Sequence, residues 1–258
     1  RVKGVFVGEP AKPVVLQANL TVAPGDVVAP QLHSLSFDGV NDYVEAVGNF
    51  AWGGAGYKST FEAWVKVNPV LMPATYTWGH GHAGILTLED HWTGGWIGVQ
   101  YRGPAGGYAT SYVLTVYYYN WFYTVGTYTD FGVWHHYVVV YEVVNSDLVT
   151  ATVYLDGARL TTISISPPGI GDVTGVSTRF RLGMGNAWLG LFFAGDIASA
   201  RIYSKALTIE EIQWNYLNPG DPVRDGLVFW LQAGRVADVN GDGVLEWVDL
   251  SGNGNHGV

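Results

Sequence analysis

Apolar and polar residues alternate in short runs along most of this chain, which is the pattern of β-strands that bury one face. Residues 61–67 alternate strictly. Further runs rich in aromatic and β-branched residues lie at 35–37, 43–47, 94–101, 112–119, 121–128, 134–144, 149–155, 158–165, 180–184 and 194–203. Asp156-Gly157 separates two of these runs and is a strong hairpin signal. Because the runs include no helical crossover, the strands are predicted to pair antiparallel.

One segment near the end of the series has a helical pattern. Ile209, Ile212 and Tyr216 share one face of the predicted helix. Thr208 precedes the helix and Glu211 follows three residues later, which is the spacing of a capping box. The fold class is therefore predicted to be all-β, a two-sheet antiparallel jelly-roll sandwich with one short C-terminal helix.

The composition narrows the classes of function. The 258 residues include 13 Lys and Arg against 22 Asp and Glu, and this net charge of −9 argues against nucleic-acid binding. No run of about 18 apolar residues occurs, so no membrane span is predicted. Aromatic residues are as frequent as charged ones, which favours an extracellular or cell-surface recognition or assembly module. Asn19 begins the single N-glycosylation sequon.

Both ends of the chain stand apart from the regular series of strands. Residues 1–34 interrupt short β-capable runs with Pro, and we expect an extended arm with a possible edge or donor strand. Residues 219–258 contain one strand at 226–231 and a loop, which cannot bury a hydrophobic face alone. This tail must therefore pack against its own domain or against another molecule.

A calcium-type loop lies within the tail. The predicted ligands, at positions 1, 3, 5, 7, 9 and 12 of a twelve-residue loop, are Asp238, Asn240, Asp242, Val244, Glu246 and Asp249. Gly243 at position 6 provides the turn, and Asp249 in place of Glu resembles the dockerin variant of the EF-hand. The pattern predicts bound Ca²⁺, and a turn cluster that binds nothing is the alternative.

A belt of aromatic residues follows in the middle of the chain. The candidates for a ligand-binding or interface surface are Tyr108, Tyr112, Tyr117, Tyr119, Trp121 and Tyr123. Aromatic rings on an exposed sheet can stack on sugar faces. Half of each strand must face the core, however, so packing in the core or between subunits is the other interpretation.

Signals for catalysis or for zinc are weak. Glycoside hydrolysis needs two carboxylates on one concave sheet, and Glu62 has no partner that the sequence assigns. We therefore expect a protein that is not an enzyme. His80, His82 and His91 have spacings that zinc can use, but no zinc signature frames them. A solvated loop is the preferred interpretation of this segment.

Four blocks of sequence resemble one family. They are Leu-Ser-Phe-Asp-Gly-Val-Asn-Asp-Tyr-Val at 35–44, Thr-Phe-Glu-Ala-Trp-Val at 60–65, Trp-His-His-Tyr-Val at 134–138 with Val-Tyr-Leu-Asp-Gly at 153–157, and Gly-Asp-Ile-Ala-Ser-Ala-Arg-Ile-Tyr at 195–203 with the capped helix after it. Together they resemble laminin-G-like domains of the concanavalin A-like lectin and glucanase type. The resemblance covers 35–218 and implies two stacked antiparallel sheets, usually extracellular and usually binding rather than catalysing.

The tail resembles the same family in an unexpected place. Residues 226–231 and 247–257 are similar to the segment that normally precedes the Phe-Asp-Gly block. Residues 219–258 therefore resemble the start of a further domain of this family. The domain is circularly permuted, or a second domain begins at the tail, or the tail completes the sandwich of the next subunit.

The leading hypothesis for function is a non-catalytic structural role. The subunit would assemble with copies of itself, as in a filament or surface layer, with the tail or the arm completing a neighbouring sandwich. The alternative is a carbohydrate-binding or adhesion module with glycans as partners. A polysaccharide hydrolase or lyase is the third and least supported class.

Overall fold

The computed structural model describes residues 33–54, 56–71, 82–88, 95–118, 121–166, 169–172, 174–184, 192–237, 239–241 and 246–257. The predicted N-terminal arm lies outside these ranges except for His33 and Ser34, and so does the sequon at Asn19. Within the described ranges no helix is long and apolar enough to cross a membrane.

The described residues form fourteen strands, one α-helix and a 3-10 turn at Ile170–Asp172. The strands are β1 (Leu35–Asp38), β2 (Val44–Gly53), β3 (Lys58–Val67), β4 (His82–Leu88), β5 (Gly95–Arg102), β6 (Ser111–Tyr118), β7 (Trp121–Tyr128), β8 (Trp134–Asn145), β9 (Leu148–Leu155), β10 (Ala158–Ile165), β11 (Thr174–Leu182), β12 (Ala194–Tyr203), β13 (Leu227–Ala237) and β14 (Glu246–Asp249). The helix α1 spans Ile209–Leu217, and its predicted capping box is present.

The strands are arranged in two antiparallel sheets. The eight-stranded sheet has the order β10-β9-β8-β3-β12-β13-β14, and β1 pairs with β12 beside this path. The six-stranded sheet has the order β2-β11-β4-β5-β6-β7. The sheets stack over a shared apolar core, in which Phe229 of β13 contacts Phe180 of β11 with ring centroids 3.7 Å apart. The predicted two-sheet antiparallel sandwich is confirmed.

Strand β3 differs from its prediction because it buries both faces. Phe61 and Val65 belong to the core between the sheets, as their alternation predicts. On the other face, Trp64 stacks on Tyr216 of α1 with centroids 5.5 Å apart. The helix thus covers the side of β3 that the alternation pattern assigns to solvent.

The tail pairs with its own chain. Strand β13 runs along the second half of β12, with Ser199 opposite Gln232 and Tyr203 opposite Leu227. Strand β1 occupies the first half of the same edge of β12. Since β1 has only four residues, β13 covers a part of this edge that would otherwise be open. In this structure the tail therefore closes its own sandwich.

Candidate functional site

The side of the six-stranded sheet that faces away from the core carries polar and aromatic residues. Leu114 and Val116 of β6 lie in the core, so Thr115, which lies between them, points to the opposite side. Gln100 of β5 also lies between two core residues and points the same way. His82 of β4 pairs directly with Gln100. We call this side of the sheet the outer face.

The outer face is curved enough that residues from distant strands touch. Phe122 of β7 contacts the ring of His82 of β4, with centroids 4.4 Å apart and planes at 63°. Strands β5 and β6 lie between them, so in a flat sheet β4 and β7 would be about 14 Å apart. The curvature therefore makes the outer face a groove, lined by His82, Gln100, Thr115, Tyr117 and Phe122 and called the groove below.

Polar atoms on the floor of this groove have unused hydrogen-bonding capacity. His82 is 1% exposed, and neither of its ring nitrogens has a hydrogen-bond partner in the described part of the chain. Thr115 Oγ1 is likewise buried without a partner there. Burial, helped by the charge of Arg102, lowers the pKa of His82 to about 4. A neutral imidazole offers one donor and one acceptor, and both stay unused within the described residues.

The aromatic residues predicted as one surface are separated by the strand alternation. Tyr112 is 1% exposed and lies in the core, and Tyr123 packs against the core from β7. Tyr117 is buried, and its alternation with core residues of β6 places it on the outer face. The core interpretation therefore applies to part of the belt.

The other three members of the predicted belt are placed differently. Tyr108 is 65% exposed in the loop between β5 and β6, and Trp121 is 47% exposed at the start of β7. Tyr119 lies outside the described residues. Phe122, beside Trp121, is 49% exposed and contacts His82. Phe122 precedes Tyr123 by one residue, so strand alternation places the two side chains on opposite sides of β7.

His82 is also the residue that the sequence placed least well. Its segment was interpreted as a solvated loop, but His82 begins β4 and is buried. The curvature that buries it depends on contacts between strands far apart in sequence. The one local signal was the short apolar run at 85–88, which is compatible with a buried strand.

Asp249, the predicted twelfth position of the calcium loop, has a different role. Its Oδ1 accepts hydrogen bonds from the backbone N–H groups of Trp230 and Ser251, at 3.0 and 2.9 Å. Its Oδ2 accepts from the hydroxyl of Ser251 at 2.8 Å and from the N–H of Asn255 at 2.9 Å. A carboxylate that accepts four such bonds has no oxygen left to bind a metal in two-point fashion. A calcium ion bound by Asp249 would have to replace some of these hydrogen bonds, and the predicted role of Asp249 as a calcium ligand stays a prediction.

The rest of the predicted calcium loop is only partly described. Glu246 is buried, and its Oε2 accepts from the N–H of Val239 at 3.0 Å, which joins the two ends of the loop. Asp238, Asp242 and Val244 lie outside the described residues. Among the residues that are described, no group of three or more His, Cys, Asp or Glu side chains is placed to hold a metal ion.

The sequence blocks and the sandwich agree with a family assignment. Residues 38–213 match the sequence profile of Laminin_G_3, described as the concanavalin A-like lectin/glucanases superfamily. The chain belongs to this laminin G-like family. A search of curated proteins gives no match.

Two solved structures resemble this laminin G-like chain. A putative carbohydrate binding protein from Bacteroides ovatus is 18% identical, with a TM-score of 0.55, over 87% of this chain and 58% of that protein. The heptameric SAP-like pentraxin from Limulus polyphemus is 13% identical, with a TM-score of 0.49, over 71% of this chain and 81% of that protein. The likeness to the Bacteroides protein supports the fold, and this chain spans little more than half of that protein's length.

Glu62, the one carboxylate considered for catalysis, is held in a buried network of this laminin G-like domain. It is 1% exposed, and it accepts hydrogen bonds from Arg201 and, at 2.7 Å, from Asn215 of α1. His136 Nε2 lies 3.0 Å from the same carboxylate. Burial raises the pKa of Glu62, but the charges of Arg201 and His136 outweigh it and lower the pKa to about 2. Glu62 lies beneath α1 on the eight-stranded sheet, so it ties the helix to the sheet and is not in the groove.

A second histidine joins two turns at one end of the domain. His135 Nδ1 lies 2.8 Å from Asp156 Oδ2, and His135 Nε2 lies 3.0 Å from Asp130 Oδ2. Burial lowers the pKa of His135, but Asp156 and Asp130 outweigh this effect and raise it. His135 therefore links the β9–β10 turn to the segment before β8.

Proposed function

We propose that this chain is a non-catalytic glycan-binding protein of the extracellular space or cell surface. The observation that carries the proposal is the groove, where His82 and Thr115 have buried polar atoms without hydrogen-bond partners among the described residues, beside the exposed ring of Phe122. Buried polar groups normally have hydrogen-bond partners, and sugar hydroxyls are suitable ones. The exposed ring of Phe122 offers an apolar surface for the C–H face of a sugar.

The distribution of carboxylates supports binding rather than hydrolysis. The groove lies on the six-stranded sheet, called the groove sheet below. Its six strands carry one carboxylate, Glu45. It forms ion pairs with Arg179 at 3.4 Å and with Arg181 at 2.8 Å. Glycosidases of the two-carboxylate type need an acid and a nucleophile or base flanking the bond. These strands supply neither a pair nor an unpaired carboxylate. The name of the Bacteroides protein, a putative carbohydrate binding protein, points the same way.

A glycan array tests the proposal, with the Phe122→Ala variant to locate the site. We expect the native protein to bind a defined set of glycans and Phe122→Ala to bind them about tenfold more weakly, since one stacking contact is lost. Trp214→Ala is the matched control, because Trp214 is also half-exposed but lies on α1, over the other sheet. Equal losses in the two variants, or no glycan bound by the native protein, would refute this function.

A second function, self-assembly, is favoured by strand β7. It is an edge strand of the six-stranded sheet, and its eight residues include no charged residue and no Pro. Edge strands that lack charges and Pro pair readily with another chain. We therefore propose that two copies of this chain meet at β7 rather than at the tail. Adhesion or filament formation at a cell surface would use this edge.

Light scattering after size-exclusion chromatography tests self-assembly. The native protein should elute as multimers, and Thr127→Lys, which adds a charge to exposed β7, should shift it to monomers. Ser164→Lys is the control, because Ser164 is exposed on β10, the edge of the other sheet. A native protein that is monomeric at high concentration contradicts the proposal.

We also propose that the loop binds Ca²⁺ through fewer ligands than the six that the sequence pattern predicts. The alternation of Asp238, Asn240 and Asp242 with the carbonyl of Val244 supports it, and Glu246 holds the ends of that loop together. Added Ca²⁺ should then raise the Tm of the native protein, and Asp242→Asn should abolish the rise. An unchanged Tm would exclude a calcium site here.

A further inference from the structure

We propose that the groove selects anionic glycans and that Arg102 is the residue that pairs with their acidic groups. The inference rests on the proposed glycan-binding function and deepens it by naming the class of ligand. It depends on three observations: the charge of the strands that form the groove, the position of Arg102, and the polar groups beside it.

The groove sheet has the opposite charge from the chain as a whole. Its six strands contain Arg102, Arg179 and Arg181 but, among acidic residues, only Glu45. These strands therefore have a net charge of +2, whereas the whole chain has −9. A local excess of positive charge on a concave surface attracts anions. The rest of the chain repels them, so an anionic ligand would be directed to this sheet.

Arg102 differs from the other two arginines in its contacts. Arg179 and Arg181 are both held by Glu45. Arg102 lies two residues beyond Gln100 on β5, so both side chains point to the outer face. No carboxylate forms an ion pair with Arg102 in the described part of the chain. A guanidinium group binds a carboxylate through two parallel hydrogen bonds, so Arg102 is suited to an acidic sugar.

The surroundings of Arg102 favour a ligand that combines charge with hydroxyl groups. Arg102 is close enough to His82 for its charge to lower the pKa of that imidazole. His82 is thus neutral at pH 7 and donates or accepts single hydrogen bonds. Gln100 lies opposite His82 and adds an amide. A sugar ring with hydroxyl groups and one acidic substituent would satisfy all three side chains, which a simple inorganic anion would not.

The length of the groove indicates an oligomer. Arg181 is level with Thr87 of β4, and Thr87 is level with Trp96 of β5. Arg102 lies six residues further along β5, a distance of about 20 Å. Arg181 is held by Glu45, so Arg102 supplies the charge at one end of this length. A chain of several sugar rings, rather than one ring, would follow the whole length.

Calorimetric titration with matched ligands tests the inference. The probes are short oligomers of galacturonate, glucuronate and mannuronate, each paired with the same oligomer after reduction of its carboxyl groups to alcohols. We expect at least one acidic oligomer to bind roughly tenfold more tightly than its reduced form, as one charge-assisted pair would give. Dextran sulfate is a further probe. If it binds more tightly than the uronate oligomers, the acidic group of the ligand is a sulfate.

Two variants separate the role of Arg102 from general effects of charge. Arg102→Gln should remove the preference for the acidic probes, so that each acidic oligomer and its reduced form bind with similar affinity. Arg159→Gln is the matched control, because Arg159 is exposed on β10 of the other sheet and its loss changes the net charge equally. The Tm of each variant confirms folding.

The possible outcomes distinguish this inference from the function on which it rests. Equal binding of acidic and reduced oligomers overturns the selectivity but leaves glycan binding in place. A preference for acidic probes that persists in Arg102→Gln overturns the role of Arg102. Failure of every oligomer, acidic or neutral, and of dextran sulfate overturns both proposals together.

Discussion

Phe122 and His82 meet at 4.4 Å between ring centroids although two strands lie between β7 and β4. Phe122 is half-exposed and His82 is buried, so the two rings meet where the surface of the sheet passes into its interior. This contact makes the outer face of the six-stranded sheet concave. It also leaves a neutral imidazole with unused hydrogen-bonding capacity on the floor of the groove. The predictions below follow from this arrangement and from the networks that hold the sandwich together.

The burial of His82 should make the protein less stable in mild acid. Its pKa is about 4 in the folded chain and near the usual 6.5 in the unfolded chain. Because the unfolded chain takes up the proton first, the free energy of unfolding falls as the pH drops from 6.5 towards 4. Between pH 7 and pH 5 the loss from this residue is about 2 kcal/mol. Urea unfolding of the native protein and of His82→Asn at both pH values measures it.

The pKa shift of His135 has the opposite effect on the pH dependence of stability, and the same experiment measures it. Its pKa is raised in the folded chain, so its stabilisation is present below pH 6.5 and is lost as the pH rises through the folded pKa. Replacing His135 by Asn should therefore steepen the loss of stability in acid, whereas His82→Asn should reduce that loss. An acid profile that His82→Asn leaves unchanged contradicts the burial of His82 described here.

Asp249 should stabilise the tail as a hydrogen-bond acceptor rather than as a metal ligand. In Asp249→Asn an amide N–H₂ would replace one oxygen and face groups that themselves donate. The expected loss in the free energy of unfolding is about 2 kcal/mol, measured in urea with and without EGTA. Asp221→Asn is the control, because the Asp221 side chain is 78% exposed, and a change below about 0.5 kcal/mol is expected.

The dependence on calcium decides between the two roles of Asp249. The hydrogen-bond role predicts the same destabilisation by Asp249→Asn whether or not EGTA is present. If EGTA instead destabilises the native protein and has no effect on Asp249→Asn, Asp249 is a calcium ligand after all.

Removal of the Glu62 charge should be costly for folding without being a catalytic effect. Glu62→Gln would leave Arg201 buried without its partner, which typically costs 3–5 kcal/mol, on the order of a third of a domain's stability. Glu142→Gln is the matched control, because its ion pair with Lys58 is largely exposed and contributes about 1 kcal/mol or less. Thermal unfolding of both variants measures the difference, and similar Tm values would contradict the network.

The strands of this fold could largely be predicted from local pattern. Alternation located β3, aromatic and β-branched content located β8 and β9, and the Asp156-Gly157 signal matches a turn in which both residues have positive φ. The pattern did not show that both faces of β3 are buried. That burial depends on α1, which begins about 140 residues later in the chain. The local sequence of a strand does not indicate which distant element will pack against it.

Pairing of the tail was beyond prediction for the same reason. Residues 226–231 were recognised as a strand that needs a partner, and Phe229 and Leu231 are indeed buried. The sequence allowed this strand to pair either with its own domain or with the sheet of another molecule. It does not distinguish between these two partners. In the structure the four-residue length of β1 leaves space for β13 on the same chain.

The groove could be predicted least. Its members come from β4, β5, β6 and β7, and they become neighbours only through register and curvature. The aromatic content of β6 and β7 predicted a binding or interface surface there. The polar residues His82, Gln100 and Thr115 belong to no sequence motif that predicts a binding site. The twelve-residue calcium pattern was the stronger sequence signal, and it lies in the tail rather than in the groove.

Nuclear magnetic resonance of the histidine side chains tests most directly whether a glycan lies in the groove. The imidazole signals of His82, His135 and His136 would be followed during titration with an oligosaccharide that the array identifies. The account predicts that the His82 signals shift in a saturable manner while those of His135 and His136, which lie elsewhere, stay in place. Saturable glycan binding without a shift at His82 would contradict the assignment of the groove as the binding site.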